Sequence, residues 1–118
     1  MIPFHIQYLD FPESDAVTQA LRKRIMKLDH YFKRIVRCDV SVSCPHRHRH
    51  ADRLFDIQIH IALPGNDIIA SRNPVDDEAH TDVYVAIRDA FDAAERMLRD
   101  KAQILRNEIK FHEKEERI

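Results

Sequence analysis

Seven lysine and arginine residues crowd residues 22–37, a segment that contains one acidic residue, Asp29. Because each residue of an α-helix turns by about 100°, several of the basic side chains fall on one helix face. That face carries Lys23, Lys27, His30 and Arg34, with Arg22 and Arg24 on its flanks. Closely spaced cations suit the phosphates of a nucleic acid, since each neutralised phosphate releases counterions. A solvated helix surface without a ligand is the alternative interpretation, and the spacing alone does not decide between them.

The net charge hides this basic region. The chain carries a formal charge of −1, yet residues 22–53 hold ten lysines and arginines against three aspartates. At physiological salt, charges more than about 8 Å apart are largely screened from one another. A local basic surface can therefore bind phosphate even though the whole protein is nearly neutral.

A second set of cations lies near the C-terminus at helical spacing. One flank of that helix holds Arg88, Arg99, Arg106 and Lys110, with Arg96 at its edge. Asp92 and Glu95 share the same surface, so the spacing predicts the ion pairs Arg88–Asp92, Asp92–Arg96 and Glu95–Arg99. Such pairing would neutralise much of the surface, which leaves nucleic-acid binding and a solvated face equally favoured.

The segment His46-Arg47-His48-Arg49-His50 offers a different chemistry. In an extended chain its three histidines share one side, and neutral imidazoles can bind zinc or copper. No other group of ligands has matching spacing, so a polar loop that contacts phosphate is favoured over a metal site at His46, His48 and His50. Cys38 and Cys44 are six residues apart, which fits no common metal or redox motif.

Catalytic patterns are sparse. The chain has a single glycine, which argues against a glycine-rich phosphate loop, and it contains no GxSxG or HExxH string. We therefore expect a protein that is not an enzyme and that needs no cofactor.

The elements that would position these residues follow from the apolar periodicity. Alternation predicts strands over residues 2–9, 35–43, 54–63 and 68–71, and Pro64-Gly65-Asn66-Asp67 predicts a hairpin turn. Ser14 can cap a first helix, and a second helix begins after Asp82. The expected core residues of these elements are Ile2, Phe4, Ile6, Tyr8, Val17, Leu21, Ile25, Leu28, Phe32, Val36, Cys38, Val40, Val42, Phe55, Ile57, Ile59, Ile61, Leu63, Tyr84, Ile87, Phe91, Ala94, Leu98, Ala102, Leu105 and Ile109.

The order β-α-β-β-β-α indicates an α+β domain. Three consecutive strands with short connections favour an antiparallel meander, the first strand suits an edge, and two amphipathic helices can cover one face of the four-stranded sheet. We assign residues 1–110 to a single domain and 111–118 to a charged tail. No apolar run reaches the roughly 20 residues of a membrane helix, and the N-terminus lacks the pattern of a signal peptide. These features predict a cytoplasmic protein that does not enter a membrane.

Two strings resemble a known family. Lys27-Leu28-Asp29-His30-Tyr31-Phe32-Lys33-Arg34-Ile35 is similar to the end of helix one in the ribosome hibernation promoting factors and ribosome-associated translation inhibitors. Asp82-Val83-Tyr84-Val85-Ala86-Ile87 is similar to the start of their helix two. With the element order, the resemblance covers residues 2–110.

The resemblance implies a fold similar to double-stranded-RNA-binding domains and binding to the small ribosomal subunit and its 16S rRNA. It further implies occlusion of the messenger and transfer RNA channel, in idle or stressed cells. Arg24, Lys27 and Arg96 fall where the family carries basic residues. The short length resembles the short form of the family, which would need a separate protein to pair ribosomes. A protein-interaction or metal-responsive module on the same fold, without ribosome binding, stays open as the alternative.

Overall fold

The computed structural model describes residues 1–10, 12–44, 55–72 and 82–116, with side chains described as far as residue 104 except that of Arg72. Its elements are β1 (Phe4–Leu9), α1 (Asp15–Tyr31), β2 (Arg37–Ser43), β3 (Asp56–Ala62), β4 (Ile68–Arg72) and α2 (Val83–Glu116). The predicted order β-α-β-β-β-α is confirmed.

The four strands form one sheet in the order β1-β2-β3-β4. β1 runs parallel to β2, because α1 carries the chain back across the sheet between them. β2, β3 and β4 pair antiparallel, so the predicted meander and the edge position of β1 are both confirmed.

Both helices cover the same face of the sheet. Alternate residues of β3, Ile57, Ile59 and Ile61, are fully buried there with Leu21 of α1 and Phe91 of α2. The side chains that alternate with the buried ones along β2 and β3 are mostly polar and point to the opposite, open face of the sheet, which neither α1 nor α2 covers. Burial of this apolar surface stabilises the fold by roughly 25 cal/mol for each Å² removed from water.

The start of α1 is fixed by its predicted cap. The Ser14 side chain accepts a hydrogen bond from the backbone N–H of Val17 at 3.4 Å. The Tyr8 hydroxyl donates to the Ser14 carbonyl at 3.1 Å and lies 2.6 Å from the Thr18 hydroxyl. These contacts tie the helix to β1 and thereby set where its basic residues face.

Among the residues whose side chains are described, which leave out Leu105 and Ile109, two predicted core positions are wrong. Val36 is 55% exposed and precedes β2, where its backbone N–H donates to the Ala62 carbonyl. Tyr84 is 49% exposed in the first turn of α2, and its backbone N–H donates a hydrogen bond to the Asp82 side chain. Periodicity identifies the apolar face of an element, but it does not show how far the neighbouring elements extend along that face.

Cys38 gives the core a measurable pH dependence. Its side chain is fully buried, and burial, with a smaller effect of Asp39, raises the thiol pKa from 9.0 to about 12. Above pH 9 the unfolded chain loses this proton while the folded chain keeps it, so stability falls as pH rises towards 12. Between pH 8 and pH 10 we expect a loss of about 1 kcal/mol from this group, checked by urea denaturation.

The control is Cys38→Ala, which removes the thiol and is less stable at pH 8. Its stability should decline less than that of the wild type over the same pH interval. Equal declines in both proteins would contradict the assignment.

Candidate nucleic-acid interface

The predicted basic face of α1 points away from the sheet. Leu21, Ile25 and Leu28 are buried on the inner side, whereas Lys23 and Lys27 are exposed on the outer side. Arg34 is exposed in the turn after the helix. The helix therefore presents cations to solvent while its opposite side is held in the core.

Arg22 lies apart from this outward group, on the side of α1 next to β1. Its guanidinium sits 5.7 Å from the centre of the Phe4 ring, a cation–π contact. It remains exposed, so it can still reach a ligand at the edge of the helix surface.

An ion-pair cluster joins the two helices along their seam. Arg24 donates to Asp92 at 2.7 Å and to Glu95 at 3.4 Å. Lys27 lies 3.4 Å from the same Glu95 carboxylate, and Arg99 donates to it at 3.4 Å. The Glu95 side chain is only 8% exposed, so its charge is removed from water and balanced by three cations.

Arg24 thus mainly stabilises the packing of α1 against α2. Its side chain is 22% exposed, and its guanidinium lies 5.7 Å from the centre of the Phe91 ring. The Nε atom is buried without a hydrogen-bond partner among the described residues. Of the predicted RNA-binding residues, Arg24 is therefore the one most engaged in internal contacts.

The outer side of α2 is less neutralised than its sequence suggested. Of the three predicted intrahelical pairs, Glu95–Arg99 is present. Arg88 pairs instead with its neighbour Asp89 at 3.2 Å, and Asp92 turns to Arg24 across the seam. Arg96 is exposed and has no ion-pair partner in the described part of the chain.

The two helices together form what we call the outer surface, defined by the outward residues Lys23, Lys27, Arg34, Arg88, Arg96 and Arg99. Helical spacing directs Lys23 of α1 and Arg96 of α2 away from the sheet. Within the described ranges, Lys23, Arg34 and Arg96 have no acidic partner at ion-pair distance. These three are the cations best placed to meet phosphate.

Spacing within one helix could not reveal the seam cluster, because its strongest pair joins residues 68 positions apart. The available signal was the placement of Asp92 and Glu95 three residues apart on one flank of α2. The sequence also gave no reason to set Tyr31 apart, although its side chain proves to be 67% exposed.

The candidate metal residues His46, His48 and His50 lie outside the described residues. Among the residues that are described, no three histidines, cysteines, aspartates or glutamates cluster in a way that could hold a metal ion. His60 contacts Asp67 at 2.8 Å on the open face, and this contact lowers the pKa of the Asp67 carboxyl.

Residues 4–106 match the family described as Sigma 54 modulation protein / S30EA ribosomal protein. The chain belongs to this family. Membership of the S30EA family associates the chain with the ribosome, and the family is not known as a family of enzymes. The hibernation family suggested by the two sequence strings is thereby confirmed.

Solved structures share the fold. A ribosomal subunit interface protein from Coxiella burnetii superimposes with a TM-score of 0.68 at 13% identity, covering 86% of this chain and 99% of that one. The N-terminal domain of Protein Y from Thermus thermophilus gives 0.63 at 21% identity, covering 83% and 96%. No curated protein sequence matches the chain. None of the helices, over the residues described, is long and apolar enough to cross a membrane.

Proposed function

We propose that this protein inhibits translation by binding the small ribosomal subunit through its outer surface and occluding the channel for messenger and transfer RNA. Membership of the S30EA family supports the ribosome as the target. The observation that carries the proposal is that Lys23, Arg34 and Arg96 of the outer surface are exposed and have no acidic partner in the described chain. The site of action would be the cytoplasm, where ribosomes work.

Phosphate contact and shape are sufficient for such a role. Folded RNA in the A-form is contacted mostly through its backbone and wide minor groove, and a rigid basic surface suits both. The seam cluster around Glu95 fixes α1 against α2, so the outward cations keep their spacing before RNA arrives. Occupancy of the channel then blocks translation without any bond being made or broken.

Co-sedimentation with separated small and large subunits tests the proposal. We expect binding to the small subunit that weakens steeply with salt. Three phosphate contacts correspond to a slope of about −2.7 in log affinity against log salt, or roughly a fortyfold loss between 50 and 200 mM.

A translation assay with purified ribosomes completes the test, and inhibition should rise in step with occupancy of the small subunit. The large subunit serves as the matched control, since it offers RNA phosphates without the channel. Equal binding to both subunits, or none at 50 mM salt, would contradict the proposal.

A further inference from the structure

Tyr31, the last residue of α1, stands exposed between two grooves. One groove, of about 290 Å³, has an apolar floor and lies between the end of α1, the β3–β4 turn and the middle of α2. Its lining residues are Tyr31, Phe32, Lys33, Arg34, Leu63, Pro64, Leu98, Lys101 and Ala102. The other groove shares Tyr31 and Phe32 and ends at the seam cluster of Lys27, Glu95 and Arg99.

Packing within the described fold does not account for the exposure of Tyr31. The ring lies outside the buried core, with 67% of the residue in solvent. His30 contacts it in a T-shaped arrangement, with ring centroids 4.9 Å apart and an interplanar angle of 82°. This contact restricts the ring, so the tyrosine is presented at the groove in a limited range of orientations.

Among the residues whose side chains are described, the charged ones that line the apolar groove are all cations. Lys33 and Arg34 lie at the α1 end of this groove. Lys101 lies on the α2 side, where its ammonium donates to the Asn66 carbonyl at 3.0 Å. In the neighbouring groove Lys27 and Arg99 are already paired with Glu95, whereas Lys33 and Arg34 have no ion pair among the described residues, so an anion favours the Lys33 and Arg34 side.

We propose that Tyr31 and the apolar groove hold one unpaired nucleobase of the bound RNA, with the adjacent phosphate on Lys33 and Arg34. This inference rests on the proposed function, and it adds recognition of a single-stranded nucleotide to contact with paired RNA. Aromatic rings flanked by cations bind single strands in this way, because every base has a face that can stack.

Size and charge favour a base over a peptide. A groove of about 290 Å³ lies at the small end of ligand sites, which suits one planar ring. An amphipathic helix would need anchors over several turns, and the apolar floor is too short to supply them. The cationic rim matches the phosphate that accompanies each base.

Fluorescence anisotropy with two labelled probes tests the inference. One probe is a hexamer of adenylate, and the other is a hexamer with the same phosphates but no bases. The wild-type protein and Tyr31→Phe should both prefer the adenylate probe, whereas Tyr31→Ala should bind it roughly tenfold or more weakly. Both variants should bind the abasic probe equally well, since Tyr31 carries no charge.

Salt dependence separates the tyrosine from its neighbours. Tyr31→Ala should leave the salt slope unchanged, while Lys33→Ala with Arg34→Ala should make it shallower. If the wild type binds both probes equally and Tyr31→Ala changes nothing, the groove takes no base and the inference is wrong.

Ribosome binding distinguishes this failure from that of the proposed function. A wild-type protein that co-sediments with small subunits while Tyr31→Ala binds the adenylate probe normally would overturn the inference alone. A wild-type protein that fails to co-sediment would overturn the proposed function, whatever the probes show.

Discussion

Triple reversal of charge at Lys23, Arg34 and Arg96 to glutamate is expected to reduce binding to the small subunit at least a hundredfold. All three side chains are exposed and, in the described ranges, lack an ion-pair partner, so their replacement breaks no ion pair there. At 0.1 M salt each lost phosphate contact weakens binding about eightfold, and the new negative charges add repulsion. Co-sedimentation at several salt concentrations measures both the loss and the shallower slope.

Two variants serve as controls for this experiment. Arg37→Glu reverses a charge on the open face of the sheet, where Arg37 pairs with Asp39 at 2.9 Å, and should bind ribosomes normally. Asp92→Asn should bind more tightly, because it removes an exposed negative charge that lies 2.7 Å from the Arg24 guanidinium, while Glu95 still holds Arg24 at the seam. The interface is misplaced if the triple variant binds like the wild type or if Arg37→Glu loses as much affinity.

Much of the fold was predictable because its elements have unambiguous periods. Ile57, Ile59 and Ile61 alternate without interruption, and all three prove to be fully buried. The cap at Ser14 and the hairpin at Gly65 each follow from local chemistry; Gly65 adopts a φ of 91°, which other residues rarely do. The predicted burial of Val36 and Tyr84 was wrong, because burial at the end of an element depends on neighbours that are distant in sequence.

The candidate site was less predictable for the same physical reason. Helical spacing correctly placed Lys23 and Arg96 on outward faces, since that depends on the helix alone. Ion pairing between helices depends on tertiary packing. Asp92 pairs with Arg24 of α1 and not with a cation of α2, and the sequence of α2 alone could not show this. Helical spacing places Lys23 on the basic face and Arg24 on its flank, but it does not show that Arg24 is paired at the seam while Lys23 has no ion pair in the described chain.

Phe91→Ala is expected to lower the free energy of unfolding by about 3–5 kcal/mol. Phe91 is fully buried, and its ring contacts both the apolar core and the Arg24 guanidinium, so truncation leaves a cavity at the seam. The free energy of unfolding of a domain of this size is roughly 5–15 kcal/mol, so the loss is a large share of its stability. Urea denaturation followed by circular dichroism measures it.

Phe91→Leu is the matched variant, because it keeps most of the apolar volume and removes only the aromatic face beneath Arg24. It should cost about 1 kcal/mol and remain folded. Ribosome binding by this variant then tests whether the ring under Arg24 matters to the outer surface. We expect binding close to that of the wild type, since Asp92 and Glu95 still hold Arg24. A Phe91→Ala variant that loses less than about 1 kcal/mol would contradict tight packing at the seam, and with it the rigidity that keeps the cations in register for phosphate.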